Sequence, residues 1–154
     1  MSIPLEKLDH FKRFIQEETS PLGTSPYVLI LVVEAYYEFV AEALVPNSSR
    51  SVTQFKLLEE LLSLGLIDKQ AYTIMNETRK LKNELTHRLD YRAGVAYLHD
   101  FYNNCTLPNK NVPKDKNDQE AIDAALSEAL RKGYSVVEAL LDEAAVKELS
   151  APAV

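Results

Sequence analysis

The residues best suited to chemistry stand together in one run, Arg79-Lys80-Leu81-Lys82-Asn83-Glu84-Leu85-Thr86-His87-Arg88. Cations, an amide and an imidazole at this density are the groups a ribonuclease-like site would use, and equally groups that a helix carries on its outer face. At about 100° per residue, Asn76, Arg79, Asn83 and His87 share one polar stripe, nearly opposite the Leu81/Leu85 core stripe, and can act together. Lys82 lies on the flank, roughly 140° from His87 by the same geometry, so the two converge only across a groove, a bent helix end or a dimer interface.

The helix that must position these groups is predicted to run from about Lys69 to Leu89, capped by Asp68, with Ile74, Thr78, Leu81, Leu85 and Leu89 as its buried stripe. Ahead of it, Ser2 and Pro4 open a helix carrying Leu5, Leu8, Phe11 and Ile15 to about Glu18. Pro21 and Gly23 mark a connector, and Ser25 and Pro26 start a second helix that reaches about Val45 and is apolar on most sides. Its acids Glu34, Glu38 and Glu42, four apart, read as a solvated row or a polar seam between subunits. Ser51 with Gln54 resembles a capping box for a third helix, which has Phe55, Leu58, Leu61 and Leu62 on its apolar face and Gly65 as its stop. After Asp90, the spacing of Tyr91, Val95, Leu98, Phe101 or Tyr102, and Cys105 predicts a fifth helix. Residues 106–117, with two prolines, three asparagines and three lysines, read as a linker. Two further helices follow, 120–132 and 136–149, punctuated by Gly133, with Ser135 and Glu138 as a second capping box. The expected architecture is therefore all-α: a five-helix bundle over 1–105, the linker 106–117, and an appended acidic helical hairpin over 118–154 that packs on the same domain or on a partner.

At 154 residues, a single domain of this size buries about two-thirds of its unfolded surface. A composition 46% hydrophobic and 26% charged, with four glycines and no tryptophan, is that of a globular helical protein. The lone cysteine, Cys105, excludes an intramolecular disulfide and a cysteine zinc cluster and reads as a small buried apolar side chain. Residues 1–14 are charged and amphipathic, unlike a secretory leader, which leads us to expect a cytoplasmic protein. The apolar run 27–33 is interrupted by Glu34, well short of the roughly 20 apolar residues a membrane crossing needs. The net charge of −6 argues against broad binding to a phosphate backbone. Its distribution is uneven: residues 77–92 hold five cations against three acids, and 118–154 hold eight acids against three cations. No helix-turn-helix with a basic recognition helix is visible, so direct sequence-specific reading of DNA is not expected.

Leu81-Lys82-Asn83-Glu84-Leu85-Thr86-His87 resembles the signature of HEPN domains, an arginine, a polar residue that is often asparagine, and a histidine a few residues on, near a helix end. Leu57-Leu58-Glu59-Glu60-Leu61-Leu62-Ser63-Leu64-Gly65-Leu66-Ile67, followed by Asp68-Lys69-Gln70-Ala71-Tyr72, looks like the mannitol operon repressor family. Both families are helical bundles, and the likeness spans residues 27–92. The HEPN resemblance implies metal-independent RNA cleavage in a cleft between two protomers. His87 would then move the proton of the 2′-hydroxyl, Lys82 would face the charge developing on phosphorus, and Asn83 would orient the phosphate. Lys82 departs from the family arginine: a point charge replaces a planar fork that holds two phosphate oxygens. Arg79 carries a guanidinium on the His87 stripe but lies outside the motif spacing. The mannitol repressor resemblance implies instead a helical protein-binding surface with no catalytic step.

We therefore expect a non-enzymatic cytoplasmic regulatory domain, a homodimer with a protein partner and no cofactor, metal or membrane, that binds through Asn76, Arg79 and Arg88. The alternative is a metal-independent endoribonuclease using His87, Lys82 and Asn83, the one reading that involves RNA. Glu84-Leu85-Thr86-His87 also has the Glu-x-x-His spacing of di-iron bundles. Those need a second such helix, and neither His10 nor His99 has a glutamate three residues before it.

Overall fold

The computed structural model describes residues 5–16, 25–45 and 53–150, with side chains over 6–16, 25–45 and 53–141. Six helices occupy them: α1 (Leu5–Gln16), α2 (Pro26–Leu44), α3 (Gln54–Ser63), α4 (Lys69–His87), α5 (Val95–Asn104) and α6 (Gln119–Ser150). There is no strand among the described residues, so the all-α bundle expected from composition and periodicity is what forms. The expected start of α1 at Ser2 and Pro4, the connector with Pro21 and Gly23, and the Ser51 cap lie outside the described residues.

α2 is the axis of the bundle. It is apolar nearly all round, as a helix must be if it is covered on most sides, and it packs against α1, α3, α4 and α6. Leu29, Ile30, Val33, Tyr37, Val40 and Ala41 are fully covered. Tyr36 meets Tyr134 of α6 edge-on at 4.9 Å and Phe11 of α1 at 5.6 Å, the geometry aromatic rings prefer.

At the helix ends Gly65 and Asp68 act as read, Ser25 makes no side-chain cap bond at the start of α2, α3 is capped by Thr53 instead of Ser51, and two further readings change. Thr53 caps α3, its hydroxyl accepting from the Lys56 N–H at 3.3 Å. Gly65, at φ +73°, ends α3 in a Schellman turn: the Leu66 N–H donates to Leu61 O at 3.0 Å and the Gly65 N–H to Leu62 O at 3.1 Å. Asp68 accepts from the Ala71 N–H at 2.8 Å and opens α4. The first change is that α4 stops at His87, with Arg88 already extended, so Leu89 leaves the expected buried stripe and is 88% exposed. The second lies in α3, where Leu57 joins Leu58 and Leu61 in the core while Phe55 and Leu62 stay at the surface.

The C-terminal hairpin does not form. Residues 119–150 are one continuous helix, and Ile122, Leu126, Ala129, Leu130, Tyr134 and Val137 sit in the same core as α2 and α4. Gly133 reads locally as a helix stop, but it is buried inside α6, and a Cβ built there would stand 2.9 Å from Ile74 Cγ2. The glycine lets α6 approach α4; it does not end a helix. Ser135 and Glu138, expected as a capping box, instead tie α1 to α6: Gln16 Nε2 donates to Ser135 Oγ at 3.2 Å, and Lys12 pairs with Glu138 at 3.2 Å.

The helix-free residues 105–118 are held from both sides. Gln70 Nε2 donates to the carbonyls of Cys105 and Thr106 at 3.2 Å each, and Lys132 Nζ to Asn109 O at 2.7 Å. Cys105 is buried, and desolvation pushes its thiol up to about 12, in keeping with an inert packing residue. Thr106 takes φ 53° in a second Schellman turn, with the Leu107 N–H donating to Tyr102 O at 3.1 Å. A β-branched residue in the left-handed region costs roughly 1–2 kcal/mol that glycine avoids. Thr106→Gly is therefore expected to raise stability by about 1 kcal/mol in urea denaturation; a loss of stability would refute the strain.

Candidate functional site

The polar residues of α4 fall into three groups along the helix: the two ends belong to the Asn76/Arg79/Asn83/His87 stripe, and Lys82 on the flank lies between them. At its start, Asn76 Oδ1 accepts two hydrogen bonds from Arg79, from Nε at 3.1 Å and Nη2 at 2.9 Å, and the guanidinium lies 5.4 Å from the Phe55 ring centroid. Both residues are half-buried, so their polar groups are largely engaged inside the chain. In the middle, Lys82 Nζ reaches Glu38 Oε1 of α2 at 3.4 Å, with a third of the lysine side chain and 41% of the glutamate side chain exposed. At the end, Asn83 and His87 are exposed. His87 stands five residues beyond Lys82, roughly 7.5 Å along the helix axis, and on another side of it. Within one chain the imidazole and the ammonium do not converge.

Beyond His87 the chain is pinned into an edge. Arg88 pairs with Glu84 at 3.7 Å, and its guanidinium lies 5.6 Å from the Tyr91 ring centroid. Arg92 lies 4.7 Å from the Tyr27 ring centroid and donates to Tyr91 O at 2.8 Å. Tyr27 Oη accepts from the Ala93 N–H at 3.3 Å and donates to Asp123 at 2.9 Å; Gln119 Nε2 donates to both Ala93 O and Asp123. Burial first, and then the bond to Asp123, push the Tyr27 phenol up to about 12, so it stays a donor at any physiological pH. Two stacked arginines thus flank the exposed Leu89 on a turn whose backbone is fastened to α2 and α6.

One acid departs from the expected solvated row or seam between subunits. Glu34, placed with Glu38 and Glu42 on a solvated row, is 0% exposed, and neither carboxylate oxygen has a hydrogen-bond partner. Positions four apart advance about 400°, so each step drifts about 40° and a row of three spreads over about 80°. Glu42 ends up in solvent and Glu38 at the rim, while Glu34 turns inward. Desolvation, followed by the charge of Glu38, raises its carboxyl to about 8 against the opposing pull of Lys82 and Arg79. It is therefore mostly neutral at pH 7. The sequence signal for it is slight: a glutamate between Val33 and Tyr36 in a helix with almost no other polar face.

Among the described residues, no group of three or more His, Cys, Asp or Glu side chains is placed to hold a metal ion, and no helix is long and apolar enough to cross a membrane. Glu84, the acid of the Glu-x-x-His spacing, is exposed and faces Arg88. No protein family, curated protein or solved structure matches this chain.

Proposed function

We propose that this chain is a non-enzymatic regulatory domain of the cytoplasm that works as a homodimer by binding another protein, as its resemblance to mannitol operon repressor proteins implies. The observation that carries this reading is the state of Lys82. The cation standing where HEPN domains have arginine rests on Glu38 at 3.4 Å and stands apart from His87 within the chain, an arrangement that favours a structural role over a phosphate-facing one. What the site offers a partner is the edge after α4. Leu89, 88% exposed, sits between Arg88 and Arg92, each stacked on a tyrosine. Arginine and tyrosine are the groups that dominate protein interfaces, and the exposed leucine between them adds apolar area for a partner to cover. In this reading Arg88 binds the partner, while Asn76 and Arg79, turned toward each other and Phe55, support the helix behind it.

The test is capture from native extract with the full chain and with Arg88→Glu/Leu89→Asp. The parent should retain a stoichiometric protein that the variant loses by at least tenfold while its helical circular dichroism is unchanged. Equal retention by both, or no retained protein, overturns the reading. The second reading, a metal-independent endoribonuclease with the motif shared between protomers, draws support from the exposure of Asn83 and His87 on one stripe. Structured RNA incubated in EDTA with the parent and with His87→Ala should decay equally. Cleavage that disappears in His87→Ala would reverse the conclusion and give His87, Lys82 and Asn83 catalytic roles.

A further inference from the structure

We propose that Glu34 is the proton-binding element of a two-position switch: while neutral it leaves the Lys82 ammonium on Glu38 at the surface, and once ionised it draws that ammonium inward and frees Glu38. The inference uses the same Lys82–Glu38 contact as the regulatory reading but concerns the titration of Glu34, and its test does not depend on a partner being found.

Its basis is a mismatch between two neighbouring carboxyls. Glu34 is fully buried with both oxygens unpartnered, a state that is tolerable for a neutral acid and unfavourable for an anion. Glu38, one turn along α2, holds the Lys82 ammonium at 3.4 Å. The charged groups acting on Glu34 among the described residues are Glu38 on its own helix, which opposes ionisation, and Lys82 and Arg79 on α4, which favour it. The buried phenol of Tyr37 is the other titratable group coupled to it. Arg79 cannot answer an ionised Glu34, because its guanidinium is forked onto Asn76 and stacked over Phe55. Lys82 can. Its bond to Glu38 is long, at 3.4 Å, and partly in solvent, where such pairs contribute little. The two glutamates are one helical turn apart, roughly 6 Å between Cβ atoms, within the sweep of a four-carbon stem. A carboxylate ionised in the interior without a partner is far less favourable than one at the rim, which keeps its water, so it exerts the stronger pull on the shared cation. Ionisation thus takes Lys82 off the rim and leaves Glu38 and Glu42 as an uncompensated acidic edge. The proton on Glu34 sets the charge that this face of α2 presents.

Carbon-13 NMR of the full chain from pH 5 to 10 tests the switch. The Glu34 carboxyl resonance should titrate with a midpoint near 8, and the Lys82 Cε resonance should move at that same midpoint. Glu34→Gln should abolish the Lys82 movement, and Lys82→Met should raise the Glu34 midpoint by about half a pH unit or more. A Glu34 midpoint in the usual range of about 4 to 5, or a Lys82 resonance that ignores the Glu34 titration, would overturn the proposal.

Discussion

Glu34→Gln is expected to leave stability almost unchanged near pH 4 and to make the protein more stable than the parent by several kcal/mol at pH 9. The folded carboxyl holds its proton to about pH 8, whereas the unfolded one releases it near 4.5. Between those values the unfolded chain binds fewer protons than the folded one, so the contribution of this group to stability, complete below pH 4.5, declines as pH rises and is gone above about 8. The slope is roughly 1.4 kcal/mol per pH unit, and the full decline is on the order of 5 kcal/mol, a large part of what a domain of this size possesses. Glutamine has the shape of the neutral acid and cannot ionise, so the variant should be flat where the parent falls. Urea unfolding at pH 5, 7 and 9 provides the comparison; parallel profiles for the two proteins would mean that Glu34 ionises like a surface acid.

Gly133→Leu should cost more than about 3 kcal/mol or prevent folding, because no volume exists between α6 and α4 at that level. Gly133→Ala is the more informative variant. Alanine gains about 1 kcal/mol of helix propensity over glycine, against roughly 1–3 kcal/mol for overpacking. The contact 2.9 Å away is the Cγ2 of Ile74, a fully buried β-branched side chain that has almost one rotamer in a helix and cannot swing aside. A net loss of up to about 2 kcal/mol is expected. In a double-mutant cycle, Ile74→Ala should relieve it, with a favourable coupling of at least about 0.5 kcal/mol. Independent effects at the two positions would show that Gly133 serves some purpose other than close packing of the two helices.

The helices themselves were legible because their signals are local. Gly65 and Asp68 work through their own dihedral angle or side chain within a few residues, and the apolar surface of α2 states that it is covered. What could not be read depended on neighbours remote in sequence. Gly133 looks the same whether it ends a helix or admits another one; Ile74, 59 positions earlier, decides. Leu89 continues a helical spacing, but the chain leaves the helix at Arg88, so the spacing no longer places it inward. At the candidate site, the polar stripe of α4 was visible as an angular pattern, and the separation of Lys82 from His87 followed from the same geometry. That Lys82 would be held by Glu38, and that Glu34 would be buried behind it, required knowing how α2 lies on α4.

The Tyr27 hydroxyl joins segments 66 and 96 residues downstream of it. As the chain emerges in order, α4 and the turn after it are complete well before Asp123 and Gln119 exist to hold that hydroxyl in place. The edge bearing Leu89 consequently attains its final shape late, when α6 docks. Until then the turn lacks its fastening to α6, although Arg88 already has Glu84 and Tyr91 beside it and Arg92 has Tyr27, so the surface they form with Leu89 is completed only in the finished molecule.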